Sequence, residues 1–506
     1  MTESTLLSWI VFTPLLGIPV ILALPKEKKQ LIRYVAAITC AIPLLLGVYL
    51  YLIFDPSNTG IQLAHHFVWI RSFHIEYYLG VDGLSILMIL LTVLISFIAC
   101  IASFGIEKYL RGYFALFLLL ETGMLGTFCA LDFFLFYVFW EVMLLPMYFL
   151  IGIWGGPRKE YAAIKFFLYT LFGSLLMLLA IIALYFNSNP ATLVDGTPVP
   201  HTFNMIKLIT ENDFANAPAL LGFAFSKIVF IALFIGFAIK VPIVPFHTWL
   251  PDAHVEAPTP ISVILAGVLL KMGGYGILRV NFGILPEATV WFAPAMALIG
   301  GVSIVYAAFV CLAQKDLKKL IAYSSVSHMG FVLLGIASFT EQGITGGVFQ
   351  MWTHGLISPM LFLLAGVIYD RAHHREIEGF GGLAYRMPEY TGAIGLAFMA
   401  SLGLPGLCGF ISEVLVFLGA FPVFRTLTII SAMAVIITAA YYLWTIQRMF
   451  LGKLNEKYKD LPDLTWRERF TLYPLGALIV LLGIYPAPAM SLITDKLMNI
   501  LQMFHG

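Results

Sequence analysis

Residues 228–251 read IVFIALFIGFAIKVPIVPFHTWLP, an apolar run that ends in Lys240 and is followed by Pro242, Pro245 and Pro251. Proline removes a backbone donor and clashes with the preceding turn, so a helix built from this run should break after Lys240. A broken helix inside a bilayer is tolerated only where protein or water satisfies the freed backbone groups. The stretch therefore predicts a membrane helix that is interrupted beside a charged side chain.

A second apolar run is interrupted by LGLPGLCG at residues 402–409, which combines one proline with three glycines. Interrupted helices in corresponding halves of a chain favour an inverted repeat with a transport site at its interface. We expect the fourth to eighth spans to form one copy and the ninth to thirteenth spans to form the other.

The rest of the 506 residues agrees with a membrane protein, because 60% are hydrophobic and only 11% are charged. Soluble domains carry roughly 25% charged residues, which cover their water-facing surface. Apolar runs of about twenty residues predict an all-α polytopic membrane protein with about fourteen transmembrane helices. The predicted spans are 5–24, 32–54, 80–104, 112–131, 132–154, 163–187, 217–246, 259–280, 289–312, 319–338, 345–369, 391–421, 427–450 and 471–491.

These spans predict four segments, with the interruptions in spans seven and twelve. Residues 1–111 would hold helices 1–3, and residues 112–283 the first antiporter-like repeat, helices 4–8. Residues 284–450 would form the second, inverted repeat, helices 9–13. Residues 451–506 would hold a cytoplasmic loop and the C-terminal helix 14.

Alternating loops differ in their Lys and Arg content, which predicts the orientation of the chain. The basic loops should face the cytoplasm, and an even number of spans then places both termini outside it. The loop at 251–258 belongs to the basic side yet contains no Lys or Arg. No Lys or Arg precedes the first apolar run, which favours a retained first span over a cleaved signal peptide. The basic loops are 26–33, 108–111, 158–159, 315–319, 371–375 and 453–467.

The sequence suggests no cofactor-binding or metal site of its own. The five cysteines lie singly in or beside apolar runs, without a Cys-x-x-Cys spacing, and no glycine-rich nucleotide loop occurs. His247, Asp252, His254 and Glu256 are close in sequence, but capping and loop folding explain them better than a metal site. A net charge of +1 without a basic strip gives no reason to expect a nucleic-acid partner.

Four charged residues, Glu141, Lys240, Lys271 and Glu413, lie inside predicted spans. A charge at the bilayer centre costs about 2.5–3.5 kcal/mol on insertion scales, so each needs a partner or water. One interpretation is a pair of structural ion pairs that hold helices in register. The other is a proton path, because burial disfavours the charged forms of lysine and carboxylate and brings their titration toward neutral pH.

Glu141 and Lys240 suit a switch, because a nearby carboxylate favours the charged lysine and its withdrawal favours proton release. Their contact is an assumption, since they are far apart in sequence. Lys271 is flanked by glycines between residues 267 and 276, which permit close helix packing and also leave room for water.

His328, in YSSVSHMGF, and His354, in MWTHGLISPM, add groups whose unperturbed pKa lies near 6.5. A lone histidine in a membrane span is often a hydrogen-bonded core residue, and this interpretation stays open for both. The serines beside His328 favour a hydrated polar path.

Four stretches resemble the antiporter-like subunits of respiratory complex I, the NADH–quinone oxidoreductase. Glu413 makes the resemblance strongest to the subunit M and mitochondrial subunit 4 group, since the sister subunits usually have a lysine there. The similarity extends over about residues 80–450, with small departures at Pro260–Ile261 and Pro359. The stretches are FWEVMLLPMYFLIGIWGG, KVPIVPFHTWLPDAHVEAPT, LAGVLLKMGGYGILR and QKDLKKLIAYSSVSHMGFV.

The resemblance implies a fourteen-helix fold with two inverted five-helix bundles, in a proton-translocating NADH:quinone oxidoreductase of a respiratory chain. It implies no redox centre on this chain. NADH, FMN, iron–sulfur clusters and quinone would bind partner subunits, and the neighbours would be other membrane-arm subunits, including sister antiporter-like ones. The implied relay has Glu141 and Lys240 as coupling pair, Lys271 as central carrier, His328 and His354 as intermediate carriers, and Glu413 as terminal residue.

The sequence is also compatible with other functions. A subunit of a multi-subunit Na⁺/H⁺ antiporter shares these motifs without an electron-transfer partner. Sister complexes driven by another electron donor, and a scaffold that only anchors the distal arm, are further alternatives, whereas a solute carrier lacks a ligand-selective pocket. The expected location is a bacterial plasma (inner) membrane.

Overall fold

The computed structural model describes residues 3–214, 217–219 and 224–505, and most of these residues are helical. The α-helices are α1 Leu6–Ala23, α2 Lys29–Ile53, α3 Ile86–Ala102, α4 Leu110–Cys129, α5 Phe133–Val142, α6 Leu144–Trp154, α7 Lys159–Phe186, α8 Met205–Thr210, α9 Phe225–Lys240, α10 Trp249–Glu256, α11 Thr259–Ile264, α12 Leu270–Gly276, α13 Pro286–Leu312, α14 Leu317–Ile336, α15 Glu341–Ala372, α16 Pro388–Ser401, α17 Cys408–Ala420, α18 Arg425–Phe450, α19 Trp466–Ile484, α20 Ala487–Met490 and α21 Thr494–His505.

Short elements complete the fold. Two π-helical segments flank α12, and two small antiparallel sheets lie in the loops. The π-helices are Leu265–Leu269 and Ile277–Phe282. The strands are β1 Gln62–Ile70, β2 Ile75–Val81, β3 Ala191–Thr192 and β4 Pro198–Val199, paired β1–β2 and β3–β4. The 3₁₀ turns are Glu3–Thr5, Arg71–Phe73, Ser103–Gly105, Ile377–Gly379, Leu383–Tyr385 and Glu456–Tyr458.

The long helices run between two sides of the molecule. We call one the hairpin side, where the β1–β2 hairpin contacts the start of α5 through a 3.1 Å hydrogen bond from Glu76 N to Asp132 Oδ2. We call the other the basic side, where the loops rich in Lys and Arg lie. There the Trp154 indole donates to Lys108 O at 2.6 Å, and Gly156 N donates to Glu256 O at 2.9 Å.

Eleven helices in the described part of the chain are long and apolar enough to cross a membrane. This confirms the predicted class, a polytopic all-α membrane protein. The remaining predicted spans correspond to the two interrupted helices and to α19, whose first turn is charged. Span seven was predicted from residue 217, and its positions 220–223 lie outside the described residues. A total of fourteen spans, and the inverted repeat, therefore stay predictions.

Both predicted interruptions are present. Helix α9 ends at Lys240 and α10 begins at Trp249, while α16 ends at Ser401 and α17 begins at Cys408. Within the second interruption Gly403 and Gly406 have φ angles of +80° and +91°. Only glycine adopts these left-handed values without steric cost, so the sequence of the interruption matches its backbone.

Three features were not predicted. The β1–β2 hairpin precedes α3, so this helix begins at Ile86 rather than near residue 80. The fifth span consists of two helices, α5 and α6, that meet at Met143. The eighth span is α-helical in α11 and α12, with a π-helix on each side of α12, and π-turns are frequent at functional sites.

Candidate functional site

Lys271 lies at the second position of α12 and is completely buried. A long side chain on a helix points back toward the helix N-terminus, which brings its ammonium beside the preceding π-helix. There Lys271 Nζ donates to the carbonyl of Ala266 and lies 2.7 Å from His354 Nδ1 on α15. The partner of this buried lysine is thus a histidine rather than a carboxylate.

The row of titratable side chains continues from His354 to Glu413. The rings of His354 and His328 have centroids 5.7 Å apart. His328 Nδ1 lies 3.3 Å from Glu413 Oε1, and Nε2 lies 2.9 Å from Ser401 Oγ. Four of the six residues predicted from the sequence are therefore neighbours in one buried row.

A small cavity lies along this row, lined by His328, His354, Gln350 and Glu413 among others. Its volume open to the centre of a water molecule is about 10 Å³. A site of roughly this size holds a single water when polar partners surround it. One such partner is His354 Nε2, which is buried without a hydrogen-bond partner among the described residues. A water molecule in this cavity would therefore be in a position to bridge the two histidines.

Glu141 and Lys240 do not form a direct ion pair. Lys240 Nζ lies 5.4 Å from the ring centroid of Trp140 and 5.6 Å from that of Phe166. Aromatic faces and the C-terminal end of α9 both stabilise a cation, and the charge of Glu141 adds to this from beyond ion-pair distance. Glu141 Oε1 is buried without a hydrogen-bond partner within the described residues. The assumed contact is thus not made in this structure.

On the basic side a cavity of about 310 Å³ opens among charged residues, including Glu256, Lys318, Asp370 and Arg375. Lys318 is buried beside it and donates to Ala257 O at 2.6 Å. From the sequence Lys318 belonged to a basic loop. The sequence does not indicate which of the two adjacent lysines, Lys318 or Lys319, is buried. The fold shows that it is Lys318.

His254 is fully buried behind this cavity, stacked 4.2 Å from the ring centroid of Phe362. Neither of its ring nitrogens has a hydrogen-bond partner in the described chain. Asp252 and Glu256, its neighbours in sequence, each make a contact that agrees with a role in folding the loop. Asp252 pairs with Lys165 at 2.7 Å, and Glu256 Oε2 accepts from Arg158 N at 2.9 Å.

Sequence reasoning also missed Glu121, a fully buried carboxylate on α4. Neither of its oxygens has a hydrogen-bond partner among the described residues. Its signal was available, because it is an acid within the predicted span 112–131.

The chain is similar to known proteins both in sequence and in fold. The family model described as "NADH:quinone oxidoreductase/Mrp antiporter, TM" matches residues 130–438. NADH-quinone oxidoreductase subunit M of Rhodobacter capsulatus is 42% identical over 99% of this chain and 98% of its own length. Subunit M of Rickettsia conorii is 40% identical over all of both chains. NADH-ubiquinone oxidoreductase chain 4 of Chondrus crispus is 40% identical over 97% of this chain and 96% of its own.

Solved structures of similar fold include members of the same group of membrane proteins. A chain of respiratory complex I from Thermus thermophilus with bound NADH superposes with a TM-score of 0.86 and 30% identity, covering 98% of this chain and 99% of that one. A chain of the Mrp complex from a Dietzia species superposes with a TM-score of 0.84 over all of both chains, and its 21% identity shows the shared fold alone. The chain therefore belongs to the NADH:quinone oxidoreductase/Mrp antiporter transmembrane family.

Proposed function

We propose that this chain is a proton-translocating membrane-arm subunit of an NADH–quinone oxidoreductase. The observation that carries the proposal is the buried row from Lys271 through His354 and His328 to Glu413. The relatives named as subunit M and chain 4, and the complex I chain of similar fold, support the assembly. Neighbouring membrane-arm subunits and the lipid bilayer would then surround the chain.

The row can pass a proton by short steps. The Lys271 ammonium would transfer a proton to His354 Nδ1, to which it lies 2.7 Å away. His354 would release the proton on its Nε2 toward His328, with the small cavity supplying a bridging water. His328 would then protonate the Glu413 carboxylate, 3.3 Å from its Nδ1. Histidine suits both intermediate positions because its two nitrogens can accept and release on opposite sides of the ring.

Protons would reach the row from the basic side. The cavity beside Lys318 provides room for water, and His254 lies behind it with two unpartnered nitrogens among the described residues. An unpaired polar group in a buried site is costly, so ordered water is the expected partner of His254. The cavity, Lys318 and His254 would together form the access route to Lys271.

Energy for the transfer would come from quinone reduction on partner subunits, which would carry NADH, FMN, iron–sulfur clusters and quinone. This chain would contribute no redox centre. Glu141 and Lys240 would couple the two processes. Their separation in this structure corresponds to one state of the switch, and their approach would favour the charged lysine.

The proposal includes a topology. The basic side would face the cytoplasm of a bacterium, and both termini would lie outside it, with the chain in the plasma membrane. The segments 1–111, 112–283, 284–450 and 451–506 would be the N-terminal helices, the two inverted repeats and the C-terminal part.

A Na⁺/H⁺ antiporter subunit is the second candidate, since the family description includes Mrp antiporters. Hard cations prefer oxygen ligands, whereas Lys271, His354 and His328 offer nitrogens. The chemistry of the row therefore favours protons over sodium ions.

The test compares Lys271→Arg and Lys271→Ala in the complete complex, reconstituted in liposomes and checked for assembly by native gel. Arginine keeps the charge but does not release its proton, so a relay is blocked by both substitutions. NADH oxidation and proton pumping should fall together by roughly a hundredfold or more, the order expected for loss of a proton-transfer group. Lys227→Ala, outside the row, serves as a control. Full pumping by an assembled Lys271→Arg complex would contradict the relay and support a structural charge.

A further inference from the structure

A buried cluster of three charged residues lies on the hairpin side, outside the relay. Arg279 forms two hydrogen bonds to Asp82, from Nη1 to Oδ2 at 2.8 Å and from Nη2 to Oδ1 at 2.5 Å. Lys496 Nζ lies 3.2 Å from the same carboxylate. Asp82 precedes α3, Arg279 belongs to the π-helix Ile277–Phe282, and Lys496 lies on α21. Three distant parts of the chain thus meet at one carboxylate.

The cluster holds two cations and one anion. Burial alone would raise the pKa of Asp82, but the charges and hydrogen bonds of Arg279 and Lys496 outweigh it and hold that pKa well below its usual range. Arginine does not lose its proton in proteins. Asp82 is fully buried and Arg279 nearly so, while the Lys496 side chain is 15% exposed. The cluster therefore keeps an excess positive charge away from water.

Arg279 of the charged cluster lies on the same membrane helix face as Lys271. Lys271, Tyr275 and Arg279 follow at four-residue spacing, which places them on one face of the same membrane helix. Arg279 Nε donates to Tyr275 Oη at 3.2 Å, and that hydroxyl donates to Phe128 O at 3.2 Å. Tyr275 and then the charged cluster thus stand between Lys271 and the hairpin side.

The shortest way for a proton to leave Lys271 would follow this helix face to the hairpin side. A fixed arginine in a narrow path repels protons and cations, as in selective membrane pores. Packing along the face is tight, since the rings of Phe128 and Tyr275 have centroids 5.2 Å apart and a Cβ at Gly276 would lie 2.3 Å from the Phe237 ring.

We propose that Asp82, Arg279 and Lys496 form an electrostatic plug that prevents protons on Lys271 from leaking along its own helix to the hairpin side. Protons are thereby directed sideways through His354, His328 and Glu413. The plug rests on the proposed relay, because it assumes that Lys271 carries the proton. It adds the reason why the transfer is lateral: the direct path is closed by charge.

The test measures passive proton conductance of the resting complex in liposomes, using a pH-sensitive dye after an imposed potassium potential. Arg279→Gln removes the guanidinium while Asp82 keeps Lys496 as its partner, so the carboxylate is not left unpaired. We expect this conductance to rise roughly tenfold, the lower end of what charge focusing does to local ion concentration. Arg279→Lys preserves the charge and should stay near the wild-type conductance.

Two further variants keep the proposal decidable. Lys496→Gln changes a partly exposed side chain and leaves the Asp82–Arg279 pair intact, so it should assemble and leak by a smaller factor. Adding Lys271→Ala to Arg279→Gln should abolish the leak, because the path begins at Lys271. Wild-type conductance in both Arg279→Gln and Lys496→Gln would overturn the plug, as would a leak that persists without Lys271. Equal leaks from Arg279→Gln and Arg279→Lys would assign the effect to packing and overturn it too. The relay itself is judged separately, by pumping in the Lys271→Arg complex.

Discussion

The long side chain of Glu413 brings its carboxylate to 3.3 Å from His328 Nδ1, at the end of the buried row of titratable side chains. Glu413→Gln preserves size and hydrogen bonding but cannot accept a proton. We expect pumping by the reconstituted complex to fall by roughly a hundredfold or more, in line with loss of a general base. Glu413→Asp keeps the carboxylate on a shorter side chain, so its pumping rate should lie between those of the wild type and Glu413→Gln.

The comparison of these variants separates proton transfer from structure. If the carboxylate only fills a polar site, Gln should pump like the wild type and the shorter Asp should be the more harmful change. Native gels of each variant establish that the complex has assembled.

At the residue scale, sequence identified the chemistry but not the contacts. The sequence predicts a titratable group within an apolar span at each of four positions: Lys271, His328, His354 and Glu413. Their connection could not be predicted, since 83 positions separate Lys271 from His354 and only the packing of α12 on α15 joins them. The same limit explains the assumed Glu141–Lys240 contact, which is not made here: spacing along the chain does not give rotamers.

At the element scale, the interruption before α17 positions Glu413 through its glycines. A Cβ on Gly403 would lie 2.7 Å from Glu413 Oε2, whereas one on Gly406 would have no neighbour within 4 Å. Both glycines have positive φ, so alanine at either costs about 1–2 kcal/mol in backbone strain. Gly403→Ala should also displace the Glu413 carboxylate and lower pumping severalfold, measured per assembled complex. Gly406→Ala is the matched control, and equal pumping by the two variants would contradict the positioning role.

Asp132 caps α5 on the hairpin side, accepting from the backbone of Phe134, Leu135 and Glu76. Burial raises its pKa to about 7, although the backbone N–H groups of Leu135 and Glu76 oppose the rise. A raised carboxyl pKa favours the folded protein when the group is protonated, and that contribution is lost as pH rises through about 7. A tenfold difference in proton affinity between the folded and unfolded protein corresponds to about 1.4 kcal/mol of stability.

Asp132→Asn keeps the two cap hydrogen bonds to Oδ1, loses the acceptor for Glu76 N and removes the titration. Its heat stability relative to the wild type should therefore increase as pH rises from about 5 to about 8. Thermal inactivation of the detergent-solubilised complex measures this. Asp132→Ala also loses the cap, at a cost of about 1 kcal/mol at every pH. A difference between Asn and wild type that does not change with pH would refute the assigned titration.

Element boundaries were predictable where proline and glycine set them. Helix α9 ends before the prolines that follow Lys240, and α16 ends before the proline and glycines of residues 402–409. Proline cannot donate the backbone hydrogen bond that would continue a helix, and glycine adopts non-helical φ angles easily. The π-helices around Lys271 were not predictable, because a π-turn differs from an α-turn by one inserted residue and leaves no clear mark on hydropathy. The β1–β2 hairpin was missed because the predicted third span already included part of β2.

At the scale of the whole molecule, composition was enough for the class of fold. The apolar runs predicted the membrane helices, and the three spans that fall short of a continuous apolar helix are the interrupted pair and the charged α19. The packing of α21 against α13 and α15 was not predicted. Its Lys496 reaches Asp82 across the chain, and such contacts depend on the assembled fold.

Orientation in the membrane is the remaining property of the whole molecule, and the native cysteines make it measurable. All five are buried, so a membrane-impermeant maleimide should react only with a cysteine introduced at the surface. Lys459→Cys places one on the basic side and Asn58→Cys one on the hairpin side, both at exposed positions. If the basic loops face the cytoplasm, Lys459→Cys should be labelled in inside-out vesicles and Asn58→Cys in right-side-out vesicles. The reverse pattern would place both termini in the cytoplasm and would also reverse the side of the membrane proposed for proton access to His254 and Lys271. Labelling of both positions from one side would contradict the two-sided arrangement of the helices itself.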